Sequence, residues 1–302
     1  MKVIISDTHF GTRQNSITWL HSQEDFIYKQ LIPFIKSQPE EVTLVHLGDV
    51  FDSRSSVSTY IASRVIKMFE SLKDVTKEII IVSGNHDYYS PNSDKVNTNA
   101  IILQQIGLTI LSKEIMIRGE DLYVPWYCWF DQDKLVDIVD SNNIKNIFTH
   151  ADLHEGTKIT NARIFSGHIH TPHFDGKKYT LGSTYPLTFA DADQDRGFYT
   201  LDDYELKFHP NTESIRFFKS LGIPEFEVRD NDYINLYIDM TNESLLNDVK
   251  SWIKTKKNCT VFPLEIQNDN NIDLYNGEEY NIENICKELI PDHLIEKFES
   301  II

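Results

Sequence analysis

The sequence predicts an α/β protein: an αββα sandwich of two mixed sheets flanked by helices, with a small C-terminal βαβ domain. Three observations carry this. Runs of β-branched and aromatic residues alternate with stretches of helical spacing, the pattern of a largely parallel sheet covered by helices. Hairpin-like strand pieces with turn residues between them follow at 178–181 and 197–201, and they supply a second sheet. Seven metal-ligand-type side chains, Asp7, His9, Asp49, Asn85, His150, His168 and His170, each sit just past a short apolar run. Ligands in open α/β sheets bind beyond the carboxyl ends of such strands.

Taken in order, 3–5 is a first strand. Residues 25–36 place Phe26, Ile27, Leu31, Phe34 and Ile35 at helical spacing, and Pro33 argues against an unbroken helix there. A second strand spans 42–47. A second helix spans 59–72, with Ile61, Val65, Met68, Phe69 and Leu72 on one face, and 79–82 is a third strand. Strands at 122–124 and 144–148 flank a helix near 133–140, and 163–165 leads into the last His pair. Around Gly222-Ile223-Pro224 the texture changes. A strand at 233–239, a helix at 242–254 and a strand at 260–266 form the βαβ unit. The division expected is 1–222, 223–268 as a small second domain, and an acidic tail at 269–302. That tail ends in an amphipathic helix at 292–302.

The 302 residues suffice for one large domain and a smaller one, and 40% apolar content excludes wholesale disorder. No stretch approaches the roughly 20 apolar residues of a membrane span. The run from Met1 leads directly to Asp7, so no signal peptide is expected, and a cytoplasmic location is. Cys128, Cys259 and Cys286 form no CxxC pair and read as buried thiols. The net charge of −17 argues against a broadly basic nucleic-acid glove. It is uneven: 17 acids face 7 bases from residue 223 onward, and 29 face 22 before it. Bound divalent cations would neutralise several of those acids.

Five clusters carry the chemistry. Asp7-Thr8-His9 sets a carboxylate and an imidazole two residues apart, on the same side if the backbone is extended. Gly48-Asp49 follows the second strand with a carboxylate able to bridge two ions. Gly84-Asn85-His86-Asp87 offers a neutral amide oxygen, His150 stands alone, and Gly167-His168-Ile169-His170 adds a second same-side pair. Nitrogen and oxygen donors without thiolate favour Mn²⁺, Fe²⁺ or Zn²⁺. Each piece alone is more often a turn or a satisfied polar pair. Their joint order, each past an apolar run, suits a two-metal phosphoester-cleaving site. Trp126, Tyr127, Trp129 and Phe130 cluster near a strand end; base stacking is conceivable, while core or dimer packing is the favoured reading. His46 reads as a strand histidine. The small basic clusters Lys177-Lys178 and Lys254, Lys256, Lys257 read as solvated surface.

The order DxH, GDxxD, GNHD, single His, GHxH resembles that of calcineurin-like metallophosphoesterases over about residues 1–220. The resemblance implies that Asp7, His9, Asp49 and His170 hold one ion and Asp49, Asn85, His150 and His168 the other, with Asp49 bridging. It makes His86 the candidate proton donor to the leaving alkoxide or stabiliser of the transition state, with Asp87 as its candidate orienting partner, and leaves Asp52 a doubtful catalytic part. Protein phosphatases of this class show GDxVDRG and GNHE, and this chain departs at both. Ser6-Asp7-Thr8-His9-Phe10-Gly11 and the GDVFD segment resemble instead the SbcD-type nucleases of double-strand-break repair and recombination. The 181–189 and 195–198 segments are similar to the same branch. Val124-Pro125-Trp126-Tyr127-Cys128 and the compact C-terminus are similar to the recombination-endonuclease subunits of T-even-like bacteriophages.

The resemblance implies Mn²⁺-dependent cleavage of DNA ends, with Mg²⁺ as a further possible ion. It also implies that 223–268 caps the active site and helps hold DNA, and it implies a homodimer and an SMC-like coiled-coil ATPase partner of the SbcC type. The helices at 25–36 and 59–72 are dimer candidates, and 292–302 is a partner-binding candidate. A small-molecule or cyclic-nucleotide phosphodiesterase and a non-catalytic phosphoesterase-fold scaffold are the alternatives.

Overall fold

A computed structural model describes residues 1–153, 157–239, 242–256 and 258–263. The strands of its first half are β1 (Lys2–Ile5), β2 (Thr43–His46), β3 (Glu78–Val82), β4 (Tyr88–Ser90), β5 (Ser93–Asn97), β6 (Thr109–Leu111), β7 (Met116–Arg118) and β8 (Asp121–Val124). Then come β9 (Asn146–Thr149), β10 (Arg163–Ser166), β11 (His173–Asp175), β12 (Lys178–Thr180), β13 (Gly197–Asp202) and β14 (Glu205–Pro210). The last three are β15 (Phe217–Leu221), β16 (Tyr233–Ile238) and β17 (Cys259–Pro263). One six-stranded sheet runs β14-β13-β1-β2-β3-β6 and a second runs β11-β12-β10-β9-β8-β7.

Both sheets are mixed. β1, β2, β3 and β6 are parallel neighbours, and β13 joins β1 antiparallel. β8, β9, β10 and β12 are parallel, with antiparallel strands at each edge. Alternation along each strand divides the core into layers. Ile4, Val45, Ile80 and Tyr199 meet Tyr123, Phe148 and Phe165 of the second sheet in an inter-sheet core. The opposite face of the first sheet, through Val3, Ile5, Leu44, Ile79 and Ile81, packs on Phe26, Leu31, Ile61, Val65 and Phe69 of two helices. Leu122, Ile147 and Ile164 of the second sheet pack on Leu135 and Val139 of the helix Gln132–Ser141. Four layers result, the αββα sandwich expected, although of the two strand pieces expected in the second sheet only β12 lies there, β13 pairing with β1 in the first.

The helix predicted at 25–36 begins earlier, at Ile17, capped by Ser16, whose side chain accepts the Trp19 N–H. It continues as a π-helical segment, Phe26–Leu31, before the α-helical turn Ile32–Lys36. Proline lacks an N–H and crowds the carbonyl one turn back. The wider winding just ahead of Pro33 relieves that crowding without ending the helix. The helix Thr59–Lys73 buries the five apolar residues predicted. The β4–β5 hairpin and the strands β6 and β7 have too little apolar periodicity to be read from sequence.

The chain divides into two compact units: Met1–Lys219 with Glu227–Ile234, and Ser220–Phe226 with the described residues from Asn235 on. The strand order of the third sheet is β15-β16-β17. The helix Glu243–Ile253, capped by Asn242, precedes β17, with Leu236, Ile238 and Val249 buried. The amphipathic stretch 292–302, Lys257 and Cys286 lie outside the described residues. Among the described residues no helix is long and apolar enough to cross a membrane.

Candidate metal centre

All seven predicted ligands stand at the carboxyl ends of five parallel strands. Asp7 and His9 follow β1, Asp49 follows β2, Asn85 follows β3, His150 follows β9, and His168 and His170 follow β10. The two sheets meet there, so side chains far apart in sequence converge. Among the described residues three groups are spaced to hold a cation: Asp7, His9 and His170; His9, Asp49 and His86; Asp49, His150 and His168.

The distances leave room for a cation between the side chains. Asp7 Oδ2 accepts hydrogen bonds from the Ser6 hydroxyl and the His168 N–H. Its Oδ1 is buried and has no hydrogen-bond partner. Around that oxygen stand His170 Nε2 at 3.8 Å, His9 Nε2 at 3.9 Å and His150 Nε2 at 4.0 Å. These gaps are too long for hydrogen bonds. They are slightly less than twice a metal–ligand bond of ~2.1 Å. Asp49 Oδ2 lies 3.8 Å from His9 Nε2 and 3.2 Å from His150 Nε2, facing both groups. Asn85 Oδ1 is 3.1 Å from His150 Nε2 and 3.0 Å from His168 Nδ1. The orphaned Asp7 oxygen and the unpartnered His9 Nε2, both buried, fit divalent cations.

Backbone conformation differs from the extended geometry read from sequence. Asp7 (φ 51°), His9 (φ 42°), Asp49 (φ 54°) and His168 (φ 72°) all occupy the left-handed region. Asp7 and His9 converge because the chain coils after β1, not because strand residues two apart share a side. His168 and His170, expected as a same-side pair, diverge toward Asn85 and Asp7 respectively. Asp and His tolerate positive φ better than bulkier residues. Even so, each such residue costs on the order of 1 kcal/mol or more, a kind of strain that concentrates at functional sites.

Three glycines admit the close approach. Gly48 has φ +98°, and a Cβ there would stand 2.6 Å from the Gly84 nitrogen and 2.7 Å from His150 Nδ1. One on Gly84 would meet the Asp49 nitrogen at 2.7 Å, and one on Gly167 would meet Asp7 Oδ2 at 2.8 Å. The GD, GN and GH pairs therefore reflect loops pressed together across the sheet edge.

Supporting contacts orient the ligands. His150 Nδ1 donates to the Leu47 carbonyl at 2.5 Å, which leaves Nε2 as its ligand atom. His46 is a strand histidine, as read from sequence, yet it has a positioning part. Its Nε2 is 2.9 Å from Thr8 Oγ1, and its Nδ1 accepts the Gly48 N–H, joining the first two ligand loops. Burial, then the neighbouring His150, lowers its pKa to about 3 and keeps it neutral. Gln23 donates to the Thr8 carbonyl at 2.8 Å and the Tyr185 hydroxyl donates to the same oxygen. Thr184 Oγ1 both accepts from the Ser6 N–H and donates to its carbonyl. Gln23 and His46 carry no motif signal, because their partners are loop carbonyls and amides that only the fold supplies.

His86 approaches the centre edge-on to His9, its Nδ1 2.7 Å from the Asp52 carbonyl. Its backbone N–H donates to Asp49 Oδ1 at 2.8 Å. The expectation that Asp87 orients the His86 ring is corrected. The buried Asp87 carboxylate instead accepts the backbone N–H groups of Asp49, Val50 and Gly84 at 2.8–3.0 Å. The contact that orients His86 belongs to Asp52, whose Oδ1 also lies 3.4 Å from His9 Nδ1.

The charges balance through protons. Burial alone would lower His150, but Asp49 and Asp7 outweigh it and hold the imidazole at about 9. His9 is raised in the same way, its burial overcome by Asp52, Asp49 and Asp7. Asp49, despite burial, is held below the usual carboxylate range, mainly by His150. Burial and the adjacent Asp49 push Asp87 up to about 7. Burial, then neighbouring histidines, lowers His168 and His170. Metal ligands must be deprotonated, so cations would displace the protons on His9 and His150.

The aromatic cluster splits. Trp129 is a core residue, as favoured from sequence, whereas Phe130 is exposed and Trp126 is half-buried against His168.

Residues 3–233 match the calcineurin-like phosphoesterase family model. The chain is 21% identical to "Exonuclease subunit 1" of Enterobacteria phage T4, over 94% of this chain and 90% of that one. It is 29% identical to "DNA double-strand break repair protein Mre11" of Saccharolobus solfataricus, over 51% of this chain and 40% of that one. With the family model matching residues 3–233, most of its length, the chain belongs to the calcineurin-like phosphoesterase family.

Proposed function

We propose that this chain is a metal-dependent DNA nuclease subunit of a repair or recombination complex. The observation that carries the hydrolytic part is the Asp49 carboxylate facing two sets of ligands, beside a buried, unpartnered Asp7 oxygen. Two relatives with nuclease or break-repair names support DNA as the substrate. In this reading Asp7, His9, Asp49 and His170 hold one cation and Asp49, Asn85, His150 and His168 the second. Mn²⁺ is the first candidate for both. When bound, such a pair supplies positive charge to the phosphoryl oxygens and lowers the pKa of an attacking water.

The chain's own residues do the rest. His86 keeps its Nδ1 proton on the Asp52 carbonyl, so in its doubly protonated form the ring hands its Nε2 proton to the leaving oxygen and is left as the neutral Nδ1–H tautomer. Asp52 holds that ring and the His9 ring in place. Asp87 fixes the loops that carry Asp49 and Asn85. The name "subunit 1" of the phage relative supports a multi-subunit assembly. An SMC-like ATPase partner and a homodimer belong to this proposal.

Purified protein incubated with Mn²⁺ and end-labelled duplex DNA is expected to cleave it, and Asp49→Ala is expected to abolish cleavage. Wild-type protein no more active than Asp49→Ala, with or without a partner ATPase, would rule the nuclease reading out. Asn85→Ala should cut cleavage at least tenfold and His86→Ala by 10²–10⁴-fold, the range for a lost general acid.

A further inference from the structure

We propose that Trp126 and Phe130 form an aromatic platform that stacks an unpaired nucleobase of the substrate strand beside the metal centre. This rests on the nuclease reading and names a substrate feature of the same site. Val124, Thr149 and Ser166 are aligned across β8, β9 and β10. The residues just beyond them therefore share one sheet edge, and Trp126 emerges alongside His150 and His168. The Trp126 ring centroid lies 4.9 Å from that of His168 and 6.0 Å from that of His150. Phe130 stands edge-on to Trp126, centroids 5.4 Å apart and planes at 86°, and is 58% exposed.

The segment that carries the two rings is anchored to its surroundings. The Trp126 backbone N–H donates to the Ser83 carbonyl at 2.9 Å, and the Tyr127 hydroxyl donates to the Ser90 carbonyl at 3.0 Å. Trp129, between the two platform rings in sequence, is buried in the core of the second sheet. A large apolar ring left in water next to a half-buried indole and a phosphoester centre suits a flat, apolar ligand attached to a phosphate. A nucleobase meets that description, and stacking tolerates any base. Stacking also needs no positive surface, which matters for a chain of net charge −17. The competing role for Trp126 is a buttress that only fixes the His168 ring.

Full-length protein is tested with Ca²⁺ as the sole divalent cation, against duplexes ending in one unpaired nucleotide. That nucleotide carries 2-aminopurine, adenine or no base. Wild type is expected to quench 2-aminopurine and to bind the adenine end about tenfold tighter than the abasic end. In Phe130→Ala and Trp126→Ala the quench should be lost and the adenine-to-abasic ratio should fall toward one. Trp126→Phe should keep part of both. Equal wild-type affinity for the two ends, or a full ratio in Phe130→Ala, overturns the platform. So does a Trp126→Ala protein that loses Mn²⁺ uptake by calorimetry yet keeps the ratio, the mark of a buttress. Cleavage in Mn²⁺ is read separately. Protein that cleaves duplexes without base discrimination refutes the platform alone, and protein that stacks the base but never cleaves refutes the nuclease reading alone.

Discussion

At the scale of single residues, the candidate centre depends on side chains that hold its loops together. Asp87 is the clearest. Its carboxylate accepts three backbone N–H groups that tie the Asp49 and Asn85 loops together. Asp87→Asn keeps the shape but turns one acceptor oxygen into a donor facing donors. We expect a loss of ~1–3 kcal/mol in urea denaturation, the cost of leaving buried backbone donors unsatisfied. An unchanged midpoint would show that the three contacts contribute nothing. His150 governs the pH dependence of the metal-free protein. Its value of about 9 stands above the 6.5 of free imidazole, so its proton stabilises the fold below pH 6.5. That contribution is lost as pH rises toward 9. Asp87, raised from 3.8 to about 7, acts with the same sign at lower pH. Chelated protein should therefore show a Tm that falls between pH 6.5 and 9. Protein loaded with Mn²⁺ should fall less, because the cation replaces the proton; a Tm that rises over this window contradicts the assignment.

At the scale of elements, the ligand loops rest on an apolar support. The helix Thr59–Lys73 places Phe69 against Phe10, ring centroids 6.5 Å apart, and near His46. Phe10 immediately follows the first ligand pair. Phe69→Ala should open a cavity under that loop and cost ~3–5 kcal/mol in chemical denaturation. It should also weaken Mn²⁺ binding by calorimetry, although Phe69 meets no ligand side chain. The continuous helical run through Pro33 shows why this element was hard to delimit. A proline signals a break by its missing N–H, and the preceding π-helical turns absorb the distortion locally. By contrast 59–72 was legible to within a residue, because its apolar stripe and its buried face coincide.

At the scale of the whole molecule, two sheets bring five strand ends to one edge and concentrate acids that repel one another. Cations should then act as part of the fold. A divalent ion at a hundred times its Kd should stabilise the protein by ~2.7 kcal/mol, raising Tm by several degrees in calorimetry. Asp49→Ala should erase that increment while leaving a folded chain. The sequence by itself determined the sandwich class and which polar side chains would gather at the strand ends, because strand periodicity and position past an apolar run are local properties. It could not determine how Asp7 and His9 converge, since the left-handed backbone at both is imposed by contacts with Thr184, Tyr185 and Gln23, remote in the chain. Nor could it separate the partner of His86 from that of Asp87, or the buried Trp129 from the exposed Phe130. Those distinctions depend on which loop meets which across the sheet edge, and only tertiary packing brings the loops together.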